Sequence, residues 1–204
     1  PYLAQYQFLT EPLPVTRANK LPGNSRQFDA EALFGKPKTD LVADFKMKLD
    51  DFDPDVILLS TLVEDTWPQA CDLLKVLADR PNIKTLIGGV YPTMASEDLI
   101  QNTDVQVVGQ GEGEETIIAF CESVRLGEDT NSIFGTLARD KSGHLKNNSP
   151  RPLVDINNVI PDFSLFDERR FLRPLGSRIW KAIPLETYRG CPYTCAFCNS
   201  PAQV

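Results

Sequence analysis

Three short strand-like runs, residues 56–59, 83–87 and 105–108, each end in a loop of small or polar residues and hand over to a helical pattern. This repeat limits the fold more than any other feature of the chain. Strands that alternate with amphipathic helices cannot pair as tight hairpins. They build a parallel sheet with right-handed helical crossovers on its faces. Residues 41–126 therefore read as a doubly wound, Rossmann-like α/β domain.

Leu41, Val42, Phe45, Leu49 and Phe52 recur at helical spacing, with Thr39 or Asp40 as the cap and Asp53-Pro54 as the stop. The run 56–59 is apolar throughout, as expected of a fully buried strand. Trp67, Ala70, Cys71, Leu74, Leu77 and Ala78 mark the next helix face, and Pro68 suits its first turn. A short helix is expected at 96–101. Ile117, Ile118, Cys121 and Val124 mark another, with Glu114 and Glu115 in a first turn that favours acids. Residues 1–40 are weakly patterned, with a short strand expected at 6–10. Beyond Gly127 the segments 134–140 and 144–147 read as a hairpin around Lys141-Ser142-Gly143. A polar, proline-dotted connector follows, and residues 184–188 read as a strand. The domain reading is thus 1–40, 41–126, a hairpin and linker at 127–182, and a new domain from 183 to 204.

Lys and Arg total 21 against 28 Asp and Glu, a net charge of −7 in 204 residues. That balance argues against a surface built to neutralise nucleic-acid phosphates. No signal-like segment or membrane-length apolar run is present. The bland reading is a cytoplasmic protein with reduced cysteines.

Cys191-Pro192-Tyr193-Thr194-Cys195-Ala196-Phe197-Cys198 places three thiols at C-x3-C-x2-C spacing. Thiolates are the ligands of iron–sulfur clusters. Three of them can hold three irons of a 4Fe–4S cluster and leave the fourth iron open. A structural zinc site normally takes four ligands. Cys71 and Cys121 lie far off on helical patterns, where core packing is their ordinary role, and His144 sits in the hairpin turn. Zinc or plain reduced thiols are the competing readings.

The strand-end loops form a second group. Ser60, Thr61 and Leu62 follow the first strand. Gly88, Gly89 and Thr93 follow the second, and Gly109, Gln110, Gly111, Glu112 and Gly113 follow the third. Ligands of open α/β sheets bind at the carboxyl ends of strands, near a switch point in strand order. Glycine there permits positive φ and close ligand approach, so valine at Gly89 is expected to obstruct the ligand's path. The Gly-x-Gly-x-Gly loop is not the dinucleotide fingerprint, and its acids would repel a pyrophosphate. Taken singly, each loop is equally well a tight turn.

The cysteine spacing, with Phe197 before the third cysteine and Arg189-Gly190 and Asn199-Ser200-Pro201 flanking it, resembles the radical S-adenosylmethionine superfamily. The strand-end loops, together with Pro161-Asp162-Phe163, resemble the cobalamin-binding branch of that superfamily over roughly residues 41–204. The resemblance implies a cobalamin-binding domain, then a hairpin and linker, then the first strand and cluster loop of a (β/α) barrel. It implies that Cys191, Cys195 and Cys198 ligate the cluster and that Phe197 lies beside S-adenosylmethionine. Cobalamin would contact Ser60, Thr61, Leu62, Gly88, Gly89, Thr93 and residues 109–113. The D-x-H-x-x-G motif of proteins that ligate cobalt through histidine is absent, so cobalamin is expected base-off with no protein histidine on the metal.

The family's chemistry is reductive cleavage of S-adenosylmethionine, most often for methyl transfer to an unactivated carbon or phosphorus. It calls for a small-molecule substrate and an electron donor such as flavodoxin or ferredoxin. A radical cyclase or rearrangement enzyme that does not use cobalamin is one rival reading. A non-catalytic module with structural metal is another. The chain starts without methionine and stops six residues past Cys198, so it reads as a fragment, inactive by itself.

Overall fold

A computed structural model describes the backbone of residues 2–8 and residues 40–175 and 178–198. These divide into two compact units. One holds the described parts of residues 1–39 and 156–189; the other holds residues 40–155 and the described part of 190–204.

The larger unit is built on a five-stranded sheet. Its strands are β2 (Val56–Ser60), β3 (Lys84–Gly88), β4 (Val107–Gly109), β5 (Thr136–Arg139) and β6 (Leu145–Asn147), in that spatial order. The pairs β2–β3 and β3–β4 are parallel, with Leu58 opposite Leu86 and Leu86 opposite Val107. The pairs β4–β5 and β5–β6 are antiparallel. The hairpin expected after Gly127 therefore extends the sheet, which continues past residue 126. Strand order in this sheet follows chain order, so its described strands contain no switch point.

Helices cover both faces because neighbouring side chains on each strand point opposite ways. Leu86, Val107 and Ala138 meet Phe120 of α4 (Glu114–Leu126) on one face. Ile87, Val108 and Leu137 face the other way. They pack with Ile100 of α3 (Val90–Gln101) and with Trp67 and Leu74 of α2 (Trp67–Ala78). Next to α2, α1 (Leu41–Phe52) buries Leu49 against Val76 and Leu77, with Ile57 of β2 in the same cluster.

The helix ends follow local chemistry. The Asp40 carboxylate accepts from Ala43 N at 2.9 Å, and Asp53 closes α1 in the left-handed region at φ 47°. Gly127 does the same for α4 at φ 69°. Two expectations need correction. The strand 56–60 is not fully buried: Leu58 is 44 % exposed, because β2 is the edge strand of the described sheet. The short helix expected at 96–101 starts at Val90, directly after Gly89, and bends at Ala95 (φ −122°, ψ 28°). Pro92 reads as a loop residue in the sequence, yet it lies in the first helical turn, where no intrahelical N–H donor is needed.

In the smaller unit, β8 (Arg178–Glu186) lies between β1 (Tyr2–Phe8) and β7 (Leu172–Leu175), antiparallel to both. The strand expected at 6–10 spans 2–8, and Thr10 lies outside the described residues. Ile179 and Ala182 of β8 are buried. Phe171 stacks edge-on with Phe163 at 5.5 Å and with Phe166 at 6.3 Å. The strand expected at 184–188 is the end of β8. The sequence reading makes it the first strand of a parallel barrel, but its neighbours here are antiparallel. An isolated strand pattern carries no information about the direction of its partner.

Candidate functional site

Parallel pairing puts the carboxyl ends of β2, β3 and β4 at one edge of the sheet, and the loops that follow them are joined by hydrogen bonds. Thr61 N donates to Gly88 O at 3.1 Å, and Tyr91 N reaches back to Thr61 O at 3.4 Å. Gly89 adopts φ 106°, ψ −172°, a region essentially limited to glycine. A Cβ there would stand 2.5 Å from Thr61 O and 3.0 Å from Ser60 Oγ. The expectation that Gly89 clears a path for ligand is therefore revised. Its missing side chain lets two strand-end loops touch each other.

Thr93 ties the second loop to the third. Its hydroxyl donates to Gly89 O at 2.8 Å and accepts from Gly111 N at 3.0 Å. Gln110 Nε2 donates to the buried Ser96 Oγ at 2.9 Å. Around Gly111, by contrast, a Cβ would meet nothing within 4 Å. Leu62 is exposed, and Gly109 is buried where β4 ends. The structure thus brings together the predicted residues 60–62, 88–89, 93 and 109–113.

One atom at this edge is out of balance. Thr61 is 4 % exposed, and its Oγ1 has no hydrogen-bond partner among the described residues. Buried hydroxyls are ordinarily paired, and leaving one unpaired costs stability. An unpaired donor beside an open glycine loop suits a ligand rich in carbonyl acceptors. The amide-bearing rim of a corrin has that chemistry, so the residues present fit cobalamin.

His144 stands at the opposite edge. β5 begins beside Gly109 and runs back past β4, so the turn that carries His144 lies beyond Arg139, whose N–H bonds Gln106 O. The imidazole is 84 % exposed, and its Nδ1 lies 2.7 Å from Ser142 Oγ. The Asp140 carboxyl is held below its ordinary range, chiefly by the Ser142 hydroxyl. Asp140 bonds Ser142 directly here, so the trio is a turn and not a nucleophile with its base. A groove of about 600 Å³ lined by Leu74, Arg80, Lys84, Asp104 and Gln106 also lies at this far edge, where β3 and β4 begin. Burial pushes the Cys71 thiol beside it upward, away from thiolate chemistry.

The cysteine loop is arranged differently. Cys191 and Cys195 are exposed and Cys198 is half-buried. Cys198 N donates to Cys195 O at 3.1 Å, closing a turn over Ala196 and Phe197. Phe197 is 92 % exposed. Among the described residues no three His, Cys, Asp or Glu side chains converge to hold a metal.

Sequence reasoning missed Ser96, Gly135 and Arg151 and gave Thr116, the end of the third loop, no role of its own; all four are bonded to or packed against the strand-end loops or the first turn of α4. Only Gly135 carries a local signal, as a glycine just before a strand. The others lack a motif, since their partners lie 14 to 36 residues away.

Residues 26–120 match the B12 binding domain family. The chain is 25 % identical over 168 residues to an anaerobic magnesium-protoporphyrin IX monomethyl ester cyclase of Cereibacter sphaeroides, covering 79 % of this chain and 27 % of that protein. It is 27 % identical over 164 residues to a hopanoid C-3 methylase of Methylococcus capsulatus, covering 78 % and 30 %. The chain thus spans less than a third of the length of either relative. Among solved structures, the radical S-adenosylmethionine methyltransferase TsrM of Kitasatospora setae shares the fold. Its TM-score is 0.50 at 13 % identity, over 55 % of this chain and 22 % of that one. The sheet unit therefore has a Rossmann-like fold similar to that of B12 binding domains, and the resemblance to cobalamin-binding radical S-adenosylmethionine proteins stands. Among the described residues no helix is long and apolar enough to cross a membrane.

Proposed function

We propose that the chain is the cobalamin-binding portion, with the cluster loop, of a radical S-adenosylmethionine enzyme that acts on a small molecule. Methyl transfer to an unactivated centre is the reading we favour. The observation that carries the proposal is the buried, unpartnered Thr61 hydroxyl at the carboxyl edge of a B12 binding domain. Thr61 would donate to the corrin rim, and the open backbone around Gly111 would let the ligand approach. Ser60, Leu62, Gly88, Gly109 and Gln110 would complete the wall. Gly89 and Thr93 would hold these loops in register through the bonds described above. When bound, cobalamin supplies group transfer at cobalt; the protein's part is to position it and exclude water.

The proposed ligands of a 4Fe–4S cluster are Cys191, Cys195 and Cys198, with Phe197 beside S-adenosylmethionine. Their spacing supports this. Metal binding and local folding are commonly coupled, so the ligand arrangement need not precede the metal. Ring formation in place of methyl transfer is the second reading, favoured by the similarity to a cyclase. An electron donor of flavodoxin or ferredoxin type would be the partner, and the setting would be the cytoplasm.

Thr61→Val tests the cobalamin reading. Valine keeps the shape and removes the unpaired hydroxyl, so the ligand-free chain should be as stable as the parent or more so, by about 1 kcal/mol. Hydroxocobalamin, titrated by absorbance, should bind about tenfold or more weakly. Equal affinity in the two chains would sink the assignment. Anaerobic reconstitution tests the cysteines: iron and sulfide should bind, and be lost in Cys195→Ala but kept in Cys71→Ala. Zinc uptake without sulfide would favour the structural-metal rival.

A further inference from the structure

Residues 148–154 lie outside the matched domain, yet they are bonded to its ligand edge at several points. Gln110 N donates to Gly135 O at 2.8 Å, and Gly135 N donates to Ser149 O at 2.8 Å. Arg151 Nε lies 3.2 Å from both Thr116 Oγ1 and Phe134 O, and its Nη1 lies 3.2 Å from Glu115 Oε2. The Arg151 side chain is only 20 % exposed. Val154 N donates to the Glu112 carboxylate. Gly135, at φ 74°, is where these segments cross: a Cβ there would stand 2.9 Å from Thr116 Oγ1 and 3.4 Å from Arg151 Cγ.

We propose that residues 148–154 form a strap that holds the 109–113 loop and the first turn of α4 in their ligand-binding shape, with Arg151 and Glu112 as positioning residues. The proposal rests on the cobalamin reading above. Glu112 lies in the loop, and Glu115 lies in the first turn of α4. Here Glu115 is neutralised by Arg151, and Glu112 accepts from the backbone of the strap. The sequence reading made Glu112 a ligand contact, whereas this geometry turns its carboxylate to the protein. A strap of this kind lowers the ordering cost that the ligand would otherwise bear.

The test uses the whole 204-residue chain and two readouts: hydrogen exchange without ligand, and hydroxocobalamin titration. Arg151→Ala should raise exchange at residues 110–116 about tenfold or more while leaving 84–88 unchanged, and should weaken hydroxocobalamin by about tenfold. Glu112→Ala should do the same. Glu112→Gln keeps an acceptor oxygen and should stay near the parent in both readouts, which a direct charge contact with the ligand would not allow. If Arg151→Ala leaves exchange at 110–116 unchanged, the strap is wrong. If exchange rises while affinity holds, the strap does not serve the ligand and the proposal is overturned. A parent chain that fails to bind hydroxocobalamin at all removes the cobalamin reading instead, and the exchange data distinguish the two failures. If Arg151→Ala does not fold, Glu112→Ala and Glu112→Gln carry the test alone.

Discussion

At the scale of single residues, the ligand edge depends on positions whose role is set by backbone contact. Gly89→Ala makes this measurable. Alanine would be forced into a glycine-only conformation, with its Cβ 2.5 Å from Thr61 O. The cost should be at least about 2–3 kcal/mol, read as a lower urea midpoint in the absence of any ligand. A variant of full stability that failed only in cobalamin binding would restore the obstructed-path view. The glycine pair was legible in the sequence, but its reason was not, because the atom it avoids belongs to a loop 28 residues earlier. Asp167 offers a residue-scale test in the smaller unit. Bonds from Arg169 hold its carboxyl down to about 2. A lowered value means that any stability from this pair is present above the ordinary carboxylate range near 3.9, and is lost as pH falls through about 2. A carbon-detected NMR titration should find that midpoint, and Arg169→Ala should raise it toward the ordinary value.

At the scale of elements, periodicity located the helices but misassigned part of their buried faces: Phe52 and Ile118, read as core-facing, are 80 % and 64 % exposed, and the buried Phe120 was left off the face. The bounds of α1 and α4 follow from Asp40, Asp53, Glu114 and Gly127, all visible in the sequence. It failed for α3, whose first turn, Val90-Tyr91-Pro92-Thr93, contains a proline and follows two glycines. Those residues spell a loop unless the β3 carboxyl end is already known to abut them. It also overstated the burial of β2, because an apolar run does not reveal whether the strand has one neighbour or two. Phe120 tests the assignment of faces. It is fully buried against Leu86, Val107 and Ala138, whereas Ile118, two residues earlier, is 64 % exposed. Phe120→Ala should destabilise the chain by about 3–5 kcal/mol; Ile118→Ala should cost less than about 1 kcal/mol. Similar losses at both sites in chemical denaturation would mean that α4 does not pack through this face.

At the scale of the larger unit, the sheet's polarity decides what can reach a ligand. Parallel strands collect their informative loops at one edge, and the antiparallel β5 carries the chain away to the other. The sequence has one histidine, His144, and the β5–β6 turn holds it at that far edge. The missing D-x-H-x-x-G motif already argued for cobalt without a histidine ligand, and the topology now supplies a second, independent argument. Cobalamin bound at the Thr61–Gly111 edge should therefore carry no imidazole from this chain. Reduced to cobalt(II), the complex should give an EPR spectrum without nitrogen splitting from an axial base. His144→Ala should leave that spectrum and the hydroxocobalamin affinity unchanged. Nitrogen splitting that vanished in His144→Ala would place the ligand at the wrong edge of the sheet. It would also remove the role assigned to Thr61, because no strand in this order brings residues 61 and 144 to the same side.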